Sequence, residues 1–175
     1  MPTLSKRYGS NQRWLLKALR EVAHEVQQLT WGLDESILTR RPPPEAGLRE
    51  DWSILEIVGF LRDSEAEDLR AVQAICDRSG APLPERRAHL GPGEQRYRLE
   101  EFRDLLYGFA SLREELLWTL QWAGSAWDHR GLHRHRGAIP LDQFVHEINE
   151  RDLEAMWSLR RLCEAAPARS GRRQA

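Results

Sequence analysis

Lysine is nearly missing from this chain: Lys6 and Lys17 are the only two, and arginine supplies the rest of the 26 basic residues. Such a bias fits either genome composition or a preference for forked ion pairs. Net charge is also small. A formal balance of -1 at pH 7 excludes a global pull toward nucleic acid or an anionic membrane. Cysteine appears only at Cys76 and Cys163, each near the end of an apolar helical segment, which reads as small buried side chains and offers no paired thiols for metal or redox chemistry. No apolar run approaches the roughly 18 residues of a membrane span, and Met1 to Asn11 holds no apolar segment like a signal peptide. A cytoplasmic location is the expectation. Alternating strand patterns and internal repeats are absent too.

What the chain does have is amphipathic helix. At 175 residues with 41% hydrophobic and 30% charged residues, it suits a single domain with one sizeable core, expected over 1–166, with 167–175 a disordered basic tail. A first helix is predicted from about Ser10 to Thr30, with Trp14, Leu15, Ala18, Leu19, Val22, Val26 and Leu29 inward. Three consecutive prolines, Pro42 to Pro44, then force an extended loop. Ser53 and Glu56 have the spacing of a capping box and open a second helix reaching about Asp77. Glycines and prolines from Gly80 to Gly93 make Ser79 to Tyr97 a long irregular crossover. A third helix is predicted from Leu99 to Ala123, with Phe102, Leu105, Leu106, Phe109, Leu112, Leu116 and Leu120 inward. Gly124 to Ile139 reads as a loop. A fourth helix starts at Pro140 and ends near Ala165. The fold class is all-α, a four-helix bundle with long crossover loops.

Two of the four stripes are interrupted by charge. The second helix runs Ile54, Ile57, Val58, Leu61, then Glu65 and Asp68 or Leu69, then Val72 and Cys76. The fourth carries Leu141, Phe144, Val145, Ile148, Asp152, Ala155, Leu159 and Leu162, with Arg151 inside the stripe. Charge on a buried face is costly unless paired, so these turns are where a bundle would place a site.

The residues Trp52-Ser53-Ile54-Leu55-Glu56, followed by Phe60-Leu61-Arg62-Asp63-Ser64-Glu65, resemble the opening motif of the DinB-like/YfiT-like superfamily. The loop Trp127-Asp128-His129-Arg130-Gly131-Leu132-His133, with Arg151-Asp152-Leu153-Glu154-Ala155 downstream, resembles that family's second motif. The resemblance implies a four-helix bundle, often dimeric, and in many relatives a divalent cation on three histidines serving thiol-dependent transfer or hydrolysis. Those three positions are Phe60, Arg151 and Ala155 here. None of the three offers a lone pair to a cation, so the family metal site reads as dismantled, with no cofactor, no metal and no catalytic residue expected.

Glu56, Phe60, Ser64 and Glu67 share one row of the second helix, with Glu65 beside it. Arg151 is expected to project toward them, held by Glu56 or Glu65; the plainer reading has it reaching to solvent or pairing with Glu147 one turn earlier. His129, His133, His135 and His146 offer a relocated metal set, opposed by Arg130, Arg134 and Arg136; His133 more simply bonds near the cleft mouth. The seven tryptophans are expected mostly in core or helix-end packing.

The expected function is therefore a non-catalytic, metal-free DinB-like protein, a homodimer or a binder of a small anionic or amphipathic ligand. Its cleft candidates are Glu56, Phe60, Ser64, Glu65, Arg151, Asp152, Ala155 and His133. The competing expectation is a metal-dependent hydrolase or thiol-dependent transferase using displaced ligands. A third is a structural protein with a filled core. No membrane partner is expected, and the basic tail alone gives little for nucleic acid.

Overall fold

The computed structural model describes residues 4–43, 51–85 and 96–166, with side chains described from residue 11 in the first segment and 97 in the last. The molecule is mostly α-helical: α1 (Leu4–Thr30), α2 (Glu35–Leu38), α3 (Ile54–Asp77), α4 (Phe102–Gln121) and α5 (Leu141–Glu164). The tail 167–175, most of the proline loop and His89 lie outside the described residues.

Helix α3 begins where its chemistry dictates. Ser53 accepts from the Glu56 amide while the Glu56 carboxylate accepts from the Ser53 amide, closing a capping box. Helix α1 starts at Leu4, six residues before the expected Ser10. Nothing between them stops a helix, since Gly9 costs only about 1 kcal/mol relative to alanine. Helix α4 starts at Phe102, because Arg96–Leu99 winds as a 3-10 turn.

The four long helices pack as neighbours in a ring: α1 on α4 and α5, and α3 on α4 and α5. Asn149 bonds Leu15, Arg160 bonds Glu25 and Cys163 bonds Leu29, so α1 and α5 run in the same direction. Helices α3 and α4 also run parallel to each other. One apolar cluster takes the early residues of both (Ile54 to Leu61, Leu105 and Phe109) with the later part of α1 and α5; a second takes the reverse. Parallel neighbours cannot be joined by a tight turn, which is why the chain needs the long crossover between Asp77 and Phe102.

Three short strands correct the expectation of plain loops. β1 (Ala81–Pro82) pairs parallel with β2 (Arg130–His133), which pairs antiparallel with β3 (Gly137–Pro140). They escape a periodicity search because runs of two to four residues carry no readable alternation. The sheet lies on α3: a Cβ on Gly131 would stand 2.5 Å from Leu83 Cδ2 and 3.0 Å from Ile75 Cγ1. Gly124–Asp128 forms a further 3-10 turn.

The tryptophans also depart from expectation. Trp52 and Trp127 are buried, but Trp14, Trp31, Trp118, Trp122 and Trp157 are exposed. On α4 the buried line is Leu105, Phe109, Arg113, Leu116 and Leu120. Trp118 and Trp122 each sit two residues beyond a member of that line, roughly 200° around the helix, so they face solvent and tilt against each other at 5.6 Å. Trp14 lies beside the buried line Leu15, Leu19, Val22 and Val26, with the Lys17 ammonium 5.3 Å from its ring.

A candidate site in the buried charged layer

Between the two apolar clusters lies a layer of charge. Leu61 and Leu69 of α3, Phe109 and Leu116 of α4, and Ile148 and Ala155 of α5 belong to the apolar clusters on either side; Glu65, Asp68, Arg113, Arg151 and Asp152 fall between them. All three carboxylates are fully sealed from solvent, Arg113 is 1% exposed, and only the Arg151 side chain retains 11%.

Arg113 grips Glu65 with both prongs, Nε to Oε1 at 2.5 Å and Nη2 to Oε2 at 2.7 Å. Its Nη1 donates to the Leu19 carbonyl of α1 at 2.9 Å, and Asp152 Oδ2 stands 2.8 Å from Nη2. Phe109 lies beneath the guanidinium, 5.0 Å from ring centre to carbon. Arg151 donates from Nη1 to Asp68 and from Nη2 to Asp152 at 3.0 Å and to Glu65 at 3.3 Å. Four helices are thus tied at one level.

Such burial opposes ionisation, costing several kcal/mol per ion before pairing. Burial pulls the Arg113 pKa down, but the charges of Glu65 and Asp152 outweigh it and the net shift is upward. Arg151 follows the same logic: burial lowers, while Asp68, Asp152 and Glu65 raise it further. Both guanidiniums stay charged. Within the layer two buried atoms, Arg151 Nε and Asp152 Oδ2, make no hydrogen bond, although Asp152 Oδ2 faces the Arg113 guanidinium.

The structure brings together Glu65, Arg151 and Asp152 of the expected cleft residues. Ser64 is buried one residue before Glu65, and Ala155 is buried in the apolar cluster with Met156 and Leu159. Phe60 packs edge-on against Trp52 at 5.1 Å. Glu56 belongs elsewhere: nine residues before Glu65 on the same helix, it is about 13 Å away along the axis. Its carboxylate is held by Arg41, Nε to Oε2 at 3.0 Å, by the Ser53 hydroxyl at 2.9 Å, and approached by Arg98 at 3.4 Å. Burial pushes the Glu56 carboxyl up, yet the Arg41 and Ser53 hydrogen bonds and the Arg41 charge bring it net below the usual carboxylate range. Glu147, the plainer partner for Arg151, instead binds Arg136.

Arg113 was not among the sequence candidates, although the signal existed. It continues the four- and three-residue steps from Phe109 to Leu116 as well as Leu112 does, and the apolar residue of the two is the natural choice until a facing acid is known.

The expected histidine set does not converge. His129 Nδ1 contacts the Ile75 carbonyl at 2.9 Å, His133 Nδ1 accepts from the amides of His135 and Arg136 to close the β2–β3 turn, and exposed His146 pairs with Glu150. Among the described residues no group of three His, Cys, Asp or Glu side chains has a spacing that would hold a metal ion. At the positions implied by the resemblance, Phe60, Arg151 and Ala155 supply no donor, and the acids nearby hold guanidinium groups; a divalent cation does not fit this layer. No protein-family model matches the chain, and no curated protein matches it.

Proposed function

We propose that this chain is a metal-independent, non-catalytic protein of the DinB-like type, a four-helix scaffold in which an internal cation, the Arg151 guanidinium, stands where relatives hold a metal. The observation that carries this reading is that guanidinium, bonded to Asp68, Asp152 and Glu65 from the very position where the second motif of the resemblance has a ligand. A chain that fills its central cavity with its own paired charge leaves neither an open coordination position nor a free acid or base at that level. Catalytic sites need such groups exposed to substrate, whereas structural ion-pair networks do not.

The test is transition-metal content of untagged, unstripped protein. Less than about a tenth of an equivalent of Zn, Ni or Mn, unchanged after incubation with these ions, is the expected result. About one equivalent per chain sinks the reading and moves the displaced-ligand enzyme to the front. Self-association belongs to the same reading and is supported by the exposed aromatics Trp118 and Trp122. Sedimentation should return twice the 20.4 kDa chain mass; a single-chain mass removes the dimer.

A further inference from the structure

The buried layer is closed, but a groove at the C-terminal end of α5 is open. Arg40, Arg41, Ile37, Pro42, Arg161 and Leu162 line a cavity of about 360 Å³ between α2, the start of the proline loop and the last turn of α5. That volume lies within the range of small-ligand sites. Among the described residues its charge is of one sign, since three arginines and no acid contribute to the wall.

These arginines are not equivalent. Arg41 is committed to Glu56 through both prongs, which fixes it and cancels its charge. Arg40 donates one bond, 3.1 Å to the Ala165 carbonyl at the end of α5. Arg161 lies over the Trp157 ring at 5.0 Å. Neither Arg40 nor Arg161 has a carboxylate partner among the described residues, in a chain whose arginines are otherwise repeatedly paired with acids. Ile37, Pro42 and Leu162 supply an apolar wall beside them.

We propose that this groove binds a small amphipathic carboxylate, its head between Arg40 and Arg161 and its aliphatic body along Ile37, Pro42 and Leu162. Guanidinium forks match a planar carboxylate in two-pronged pairs. The groove also sits at the C-terminal, negative pole of α5, which opposes any anion and opposes a doubly charged head such as a phosphate monoester more strongly, so the two guanidiniums have less to outweigh with a single carboxylate. The site is independent of the reading of the buried layer, because none of its residues belongs to that layer.

Calorimetric titration of the full chain with sodium decanoate, decyl phosphate and 1-decanol tests it. Decanoate is expected to saturate at one per chain and to bind at least about tenfold tighter than decanol, since the lost contact is a charge-assisted one. The R40Q/R161Q double variant should weaken decanoate about tenfold or more, and W118A/W122A should leave it unchanged. All four side chains are exposed, so these variants should stay folded, and R161Q alone gives up nothing but its stacking on Trp157. Absence of saturable decanoate binding overturns the proposal. So do equal affinity in R40Q/R161Q, loss in W118A/W122A instead, decanol binding as tightly as decanoate, or decyl phosphate binding more tightly.

Discussion

Arg113 Nε and Glu65 Oε1 lie 2.5 Å apart between α4 and α3, with both side chains sealed from solvent. The pair is the centre of the layer that divides the apolar core. Removing one member of a buried pair leaves the other charge without compensation, at about 3–5 kcal/mol. R113M should therefore lower the unfolding free energy by that amount in urea titrations, and E65L by a similar amount. The double variant should lose less than the sum, because neither charge is then stranded against the other. A loss under about 1 kcal/mol for R113M would show that water reaches the layer.

Arg151 and Asp68 form the second tie, between α5 and α3. Arg151 keeps a little solvent exposure, so part of its attraction is screened and R151M should cost less than R113M, about 2–3 kcal/mol. A double-mutant cycle with D68N should give a coupling of about 1–2 kcal/mol. If R151M melts at or above the wild-type temperature, Arg151 is not the replacement cation proposed above, and the methionine simply packs better.

Much of this arrangement was legible in the sequence, and the reasons it was not all legible are physical. The line Leu141, Phe144, Val145, Ile148, Asp152, Ala155, Leu159 and Leu162 is buried throughout, because each of those side chains faces the core at helical steps and only Asp152 needed a partner. The break at Glu65 and Asp68 located the charged layer on α3. Its main cation did not show, since a stripe of leucines offers two equally spaced positions, Leu112 and Arg113, and the choice depends on which acid lies across the gap. Glu56 shows the converse: its helix row points toward Arg151, while its actual partner, Arg41, lies in a proline-rich stretch whose sequence has no periodicity. The exposed tryptophans carry the same lesson, as residue type states how much apolar area is available and not where a helix turns it.

Tyr97 lies across α3 at Gly59, and its hydroxyl donates to Asp63 at 2.7 Å. A Cβ on Gly59 would stand 2.5 Å from Tyr97 Cγ and 2.8 Å from Cε1. Alanine is better than glycine in a helix by about 1 kcal/mol, yet the clash with a buried ring should cost more, about 1–3 kcal/mol net of relaxation. G59A is expected to be less stable than wild type in thermal or urea unfolding. G59A/Y97A should remove the clash, so that in the Y97A background the same glycine change becomes neutral or stabilising. A G59A protein as stable as wild type would mean that the 3-10 turn carrying Tyr97 yields freely.

The Glu56 carboxylate ties Arg41 and the Ser53 cap to the start of α3, and this gives stability an acid limb of known sign. Its folded pKa is depressed below the usual range, by the Arg41 and Ser53 hydrogen bonds against burial. A depressed carboxylate contributes stability that is fully present above its unfolded pKa, near 4.3, and is lost as pH falls through the folded value. The carboxamide of E56Q retains an acceptor for the Ser53 amide but not the charge. Wild type should therefore exceed E56Q at about pH 7 by about 1–3 kcal/mol, the strength of charged hydrogen bonds, and the gap should shrink toward about pH 3. R41Q at about pH 7 should reproduce part of the loss, because it removes the same pair from the other side. Urea unfolding of the three proteins at both pH values measures this; a gap that stays constant with pH would assign the effect to packing of the cap and not to the Glu56 charge.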